Sequence, residues 1–263
     1  MKMSEGSKLS ERRKCILDLL ARDGHVRVGD LSSTLGVSEV TIRNDLESLS
    51  NEGLLERVPG GAVQTANSVS EPIRHYWRLA AEKRAIAELM ASIIFPEETL
   101  MINSGSTTFF AASALAKIPG LKIVTNSIAI ANEIGKQPNL RVTLLGGEVN
   151  SQFSFTYGDD ALAQLHKYRA HRAILSIDGV DPAAGLTTYH SEEIELNRLM
   201  IERSGSTIIV ADSTKIGRES FSRLCSFTPG MKVITNHNAD ATVVAQLRRA
   251  GVDVLLAGDP HTI

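Results

Sequence analysis

Cysteine is scarce in this chain. Of its 263 residues two are cysteines, Cys15 and Cys225. They lie far apart without metal-ligand spacing, which excludes a disulfide framework and predicts a reducing, cytoplasmic setting. Cys15 falls on the apolar side of a helical pattern, where packing accounts for it. Charge of one sign is also lacking: the formal net charge is −2. Wholesale attraction to nucleic acid is therefore excluded, and any nucleic-acid contact needs a local basic face. No apolar run is long enough to span a membrane, and the opening MKMSEGSKLSERRKC has no signal-peptide core. His75, His166, His171, His190 and His237 show no metal spacing, so neither a metal nor another cofactor is expected. What remains is ordinary: 43% hydrophobic and 22% charged residues, enough for a real core. The length suits a small domain followed by a larger one.

Residues 1–65 carry a compact pattern. SERRKCILDLLAR has helical period, with Ser10 as N-cap and Ile16, Leu17, Leu19 and Leu20 as its apolar stripe. After a turn at Gly24, VGDLSSTLG reads as a short helix with Leu31 and Leu35 inward and Gly36 as its stop. VSEVTIRNDLESLSNEG follows as a second helix, capped by Ser38, ending near Gly53 and packing Val40, Ile42, Leu46 and Leu49 inward. LLERVPGGAVQT supplies two short β runs around Pro59, Gly60 and Gly61. Helix, turn, helix and hairpin are the parts of a winged helix-turn-helix. In that motif the second helix meets base edges with its first turns, here Ser38, Glu39, Thr41, Arg43 and Asn44. Arginine can bridge guanine and asparagine adenine. Arg12, Arg13, Arg27 and Arg57 are the candidates for phosphates. This segment holds nine Lys and Arg against ten Asp and Glu. A single copy should bind weakly, which predicts binding as a dimer or higher oligomer.

Residues 66–95 read as a linker, ANSVSEP, and a connecting helix entered at Pro72, with Tyr76 and Trp77 expected in packing. From residue 96 to 263 short apolar runs alternate with helical patterns, which predicts a mainly parallel sheet with helices on its faces. In such sheets ligands sit at the carboxyl ends of strands. Those ends carry polar residues or glycine: Asn103 to Thr108, Thr125-Asn126-Ser127, Gly146-Gly147-Glu148, Asp178-Gly179-Val180-Asp181 and Asp212 to Lys215. In NSGSTT, Gly105 allows close backbone approach. Ser104, Ser106, Thr107 and Thr108 offer hydroxyls and N–H groups at a helix start, which favours an anion such as phosphate. Lys215 can neutralise that anion. Asp178 and Asp181 suit sugar hydroxyls, and Glu195 with Arg198 forms a helix-face pair.

VGDLSSTLGVSEVTIRNDLESLSNEGLLERVPGGA resembles the N-terminal domain of DeoR-family transcriptional regulators, departing at Val58-Pro59, where the family often has histidine. INSGSTT, TNS, LLGG, Gly158 and VADSTK resemble that family's effector domain, which is similar in fold to ribose-5-phosphate isomerase. The resemblance implies that SGST, DGVD, Glu195 and ADSTK correspond to the isomerase's phosphate loop, paired aspartates, catalytic glutamate and lysine. Two departures stand out: Asn103 replaces a common aspartate, and PAAGLTTYHSEEI lacks the isomerase's further lysine. An enediolate oxygen would then be poorly served unless His190 or Tyr189 substitutes for that lysine, so a sensing pocket is expected rather than turnover. The resemblance implies a repressor of a sugar catabolic operon. Its expected partners are operator DNA and a phosphorylated sugar, and it is expected to form a homodimer or homotetramer. The alternative is a sugar-phosphate isomerase with an accessory DNA-binding domain.

Overall fold

A computed structural model describes residues 12–13, 15–17, 19–20, 25–51, 55–58, 60–63 and 79–258. Ser10, the turn at Gly24, Gly53, Pro59, the 66–72 linker and the Pro72–Trp77 start of the connecting helix lie outside them. The chain divides into two compact units, Met1–Ala80 and Ala81–Ile263.

In the first unit Ile16 and Leu20 lie buried in a helical stretch. Strand β1 (His25–Arg27), helix α1 (Val28–Leu35) and helix α2 (Glu39–Asn51) follow, then strands β2 (Glu56–Val58) and β3 (Gly61–Val63). Gly36 ends α1 in the left-handed region, φ 63°. The strands form an antiparallel sheet in the order β1-β3-β2. A Cβ at Gly61 would lie 2.0 Å from the Val26 carbonyl oxygen, so the pairing of β3 with β1 requires glycine there. Ile16, Leu20, Leu31, Ile42, Leu46, Leu49 and Leu55 share one core. Val40, expected inward, is instead 62% exposed. The buried phase of α2 runs through residues 42, 45, 46 and 49, and Val40 falls on the opposite side.

The second unit begins with α3 (Ala80–Ala91, whose first residue is the boundary) and is built on one seven-stranded sheet. Its strands are β4 (Thr99–Ile102), β5 (Lys122–Thr125), β6 (Arg141–Leu144), β9 (Ala170–Leu175), β12 (Ser204–Val210), β14 (Lys232–Asn236) and β15 (Asp253–Ala257). The order is β15-β14-β12-β9-β4-β5-β6 and every neighbouring pair is parallel. Successive strand residues point to opposite faces. Met101 and Ile209 enter one core with Leu165, Leu196, Met200 and Leu247. Leu100, Ile102, Ile208 and Val210 enter the other with Ile86, Met90, Ala111, Leu115 and Ile130. Helices α6 (Asp159–Leu165), α7 (Ile194–Glu202) and α8 (Ala241–Arg249) therefore cover the first face. Helices α3, α4 (Ser106–Leu115) and α5 (Ile128–Ile134) cover the second. Burial on both faces explains why the inner strands read as apolar runs, whereas edge strand β6 has no buried residue.

The chain winds outward from β4 through β5 to β6, then returns to lay β9 on the other side of β4. The crevice between the carboxyl ends of β4 and β9 is thus the topological switch point. Two small antiparallel sheets, not anticipated from the sequence, stand at that end. One pairs β7 (Glu148–Asn150) with β8 (Phe155–Tyr157). The other orders β10 (Gly179–Asp181), β11 (Gly185–Thr188) and β13 (Ser222–Cys225) as β10-β11-β13.

Candidate functional site

At the switch point the side chain of Asn103 ties β4 to β9. Its Nδ2 donates to the Ser176 carbonyl at 2.9 Å and to Asn197 Oδ1 at 3.1 Å, and its Oδ1 accepts the Ser176 N–H at 2.9 Å. An amide both donates and accepts here, which an ionised carboxylate in its place could not do. The backbone then swings across β9 at Gly105, φ 152°, where a Cβ would lie 2.7 Å from that of Ser176. Gly105 caps α4, and the Thr108 hydroxyl donates back to its carbonyl at 3.0 Å. Ser106 and Thr107 are more than nine-tenths buried in the first turn. Neither hydroxyl is engaged by another described residue.

Beneath this turn lies a carboxyl group that the sequence reading missed. Glu193, 4% exposed, sits in a one-turn 3-10 helix, Ser191–Glu193, leading into α7. Its Oε1 accepts the Ser104 hydroxyl at 2.7 Å and Asn126 Nδ2 at 2.8 Å. The Ser104 N–H donates to Asn126 Oδ1 at 3.1 Å, which closes the triangle. Burial pushes the Glu193 carboxyl up to about 7, against the lowering effect of the Asn126 and Ser104 hydrogen bonds. Glu195, the expected counterpart, is exposed and pairs with Arg198 at 2.7 Å. Arg198 also donates to the Leu224 and Arg223 carbonyls. Both residues brace α7 on β13 rather than facing the strand ends.

Asp178 stands at the end of the β9 segment. Its Oδ1 accepts Lys215 Nζ at 3.1 Å, and its Oδ2 accepts the Tyr189 N–H at 3.0 Å and the Thr188 hydroxyl at 3.2 Å. Burial raises its pKa, but Lys215 and the Tyr189 N–H outweigh that and hold the carboxyl below its usual value. Lys215 ends a short 3-10 turn, Ser213–Lys215, whose cap is Asp212: Oδ1 accepts the Thr214 N–H at 3.0 Å and the Thr214 hydroxyl at 2.5 Å. Asp181 has a different task. Its Oδ1 accepts the N–H groups of Ala183 and Ala184, closing the turn between β10 and β11. Ser127 likewise caps α5 through the Ile130 N–H. Gly147 and Gly179 permit close packing, a Cβ at either falling 2.4 Å from a backbone oxygen, of Tyr157 and Arg218 respectively. Aromatic groups form the rim. The Phe153 ring lies 4.3 Å from that of His190, and Arg218 stacks 5.5 Å above Tyr189 while donating to its hydroxyl at 3.0 Å.

The first unit presents its own polar face. The Ser38 hydroxyl accepts the Thr41 N–H at 3.2 Å and starts α2. Glu39, Arg43 and Asn44 are exposed, and Arg43 pairs with Glu39 at 2.6 Å. Arg27 is exposed, and Gly60 turns the hairpin at φ 79°. The other phosphate candidates are engaged within the protein. Arg12 grips buried Asp45 with two hydrogen bonds, 2.5 and 3.1 Å, a pairing that raises its own pKa. Arg13 donates to the Ser48 hydroxyl, and Arg57 donates to the Arg43 carbonyl at 2.9 Å, linking the hairpin to α2. Among the described residues no helix is long and apolar enough to cross a membrane, and no cluster of three or more metal-ligating side chains occurs.

A winged helix-turn-helix unit followed by an α/β unit with a polar switch-point crevice defines a ligand-responsive DNA-binding regulator. Residues 12–67 match the DeoR-like helix-turn-helix domain, and residues 79–237 match the DeoR C terminal sensor domain. The chain belongs to the DeoR family and is a transcriptional regulator rather than an enzyme. It is 34% identical over 254 residues to a protein of Escherichia coli O157:H7 named as an aga operon transcriptional repressor, covering 95% of this chain and 94% of that one. It is 31% identical over 245 residues to the glycerol-3-phosphate regulon repressor of Escherichia coli K12, covering 91% and 96%. Ribose 5-phosphate isomerase A from Neisseria gonorrhoeae aligns at 18% identity and a TM-score of 0.38 over 51% of this chain and 52% of that one.

Proposed function

We propose that the chain represses a carbohydrate catabolic operon and that a phosphorylated sugar bound at the switch point releases it from operator DNA. The observation that carries this reading is the first turn of α4. Ser106 and Thr107 are buried there, and neither hydroxyl is hydrogen-bonded to another described residue, at a helix start that favours an anion. The phosphate would rest on Gly105, Ser106 and Thr107, with Asn103, Ser104, Thr108, Asn126 and Glu193 shaping the floor. Asp178, held by Lys215, would accept a sugar hydroxyl. Asp181, Ser127, Gly147, Gly179 and Asp212 would support that pocket, and Glu195 with Arg198 would brace its far wall. On the DNA side Ser38, Glu39, Thr41, Arg43 and Asn44 would face bases, while Arg27 and the Gly60-Gly61 hairpin approach the backbone. Arg12 and Arg57 would position those groups. Two copies bind together, because one module with no net positive charge binds DNA weakly.

The ligand acts only through unequal affinity for the DNA-bound and free arrangements. The test is a thermal-shift screen of hexose and pentose phosphates against the matching free sugars, since a ligand specific for the folded state raises its melting temperature. A hit among the phosphates, absent for the free sugars, is expected to be lost in the Ser106→Asp variant and to release wild-type protein from operator DNA. A hit that survives Ser106→Asp places the anion elsewhere. No shift with any phosphate removes the sugar-phosphate reading.

A further inference from the structure

Helix α2 buries Ile42, Asp45, Leu46 and Leu49 and turns Val40, Arg43, Asn44 and Glu47 outward. Positions 40, 43, 44 and 47 follow the i, i+3, i+4, i+7 spacing of a single helical stripe. Three of the four are polar. Val40 is 62% exposed, an apolar side chain in the middle of the polar face. Among the described residues nothing draws it inward: the hydrophobic cluster of this unit does not include Val40. A β-branched residue also weakens helix propensity. It stands one turn before Arg43, whose guanidinium Glu39 holds at 2.6 Å. In the major groove the apolar feature on a base edge is the C5-methyl group of thymine, which small apolar side chains contact.

We infer that Val40 reads a thymine methyl group in the major groove, beside the base pair that Arg43 or Asn44 contacts. This goes beyond DNA binding as such, on which it rests. It assigns one position of the operator half-site to an apolar contact.

The experiment uses the full chain and a randomised duplex library, from which the preferred sequence is selected by repeated rounds of binding. Each thymine of that sequence is then replaced singly by uracil, which removes the methyl group and leaves every hydrogen-bonding atom in place. One thymine per half-site is expected to weaken wild-type binding about fourfold when replaced, the equivalent of ~0.8 kcal/mol for one buried methyl-sized group. Val40→Ser is expected to bind the uracil and thymine duplexes equally, and Val40→Ile to keep the difference. Val40 is exposed, so thermal melting of each variant should match wild type. If uracil has no effect at any position, or if Val40→Ser keeps the full uracil penalty, the inference is overturned. If no sequence is enriched at all, the DNA-binding reading fails with it.

Discussion

Glu193 shows how a single side chain can be misplaced in a sequence and still follow from it. SEEIEL holds three glutamates within four positions, and resemblance pointed to Glu195. The helix phase points to Glu193: residues 193, 196, 197 and 200 are all buried, the spacing of one helical face, while Glu195 lies on the opposite side. Counting periodicity backward from Leu196 and Met200 through the preceding 3-10 turn would have found it. Asp178 and Lys215 were legible as polar strand ends, but their pairing was not, because 37 residues separate them. Asp181 has the same residue type and a neighbouring position, yet its turn claims it. Glu193 also carries a testable consequence. Native protein keeps its proton up to about pH 7, whereas the unfolded chain releases it near 4.5. Between those values the native state binds more protons, so this group makes stability fall as pH rises through the window. The variant Glu193→Gln cannot titrate, and urea unfolding across that window is expected to show a shallower fall than wild type. Equal slopes would show that Glu193 does not titrate there.

At the scale of elements, the seven strands of the main sheet were legible because burial on both faces makes the inner ones runs of apolar residues, while the exposed edge strand β6 was marked by its place in the strand–helix alternation. The strands of the two small sheets were not. They are three or four residues long, and their sequences, such as GVD and EVN, carry no apolar run to distinguish them from turns. Glu39, Arg43 and Asn44 on the first turns of α2 are exposed, as polar residues on a free helix face should be, but Val40 was assigned by its hydrophobicity rather than by phase. Helix α4 depends on its first residue boundary. Gly105→Ala would place a Cβ against Ser176 while also forcing an L-residue to φ 152°. Strain of this kind costs about 1–3 kcal/mol. A lowered unfolding midpoint of that size is expected, together with loss of the thermal shift given by the phosphate ligand. Ser176→Gly added to Gly105→Ala should recover part of the stability, because it removes the colliding atom. A Gly105→Ala protein with unaltered stability and ligand response would show that the loop does not need its present course.

For the molecule as a whole, net charge −2 means that DNA is not drawn in by the protein's overall field. Local contacts must do the work, and the structure engages several guanidinium groups internally: Arg12 with Asp45, Arg13 with Ser48 and Arg57 with the Arg43 carbonyl. Among the described residues of the first unit, few basic side chains remain for phosphates. With a slope of about −0.9 per neutralised phosphate, a plot of log affinity against log salt is expected to run near −2 to −4 for a dimer. A slope of about −8 or steeper would mean that those arginines leave their partners to meet the backbone. The strand order carries a further consequence, one of timing. Strand β4 pairs with β5 soon after synthesis, but β9, its other neighbour, emerges roughly seventy residues later. At about 5–20 residues per second the ribosome needs several seconds to supply it. Throughout that interval one edge of Leu100, Met101 and Ile102 lacks its native neighbour, which leaves this central strand of the newborn chain open to wrong pairing.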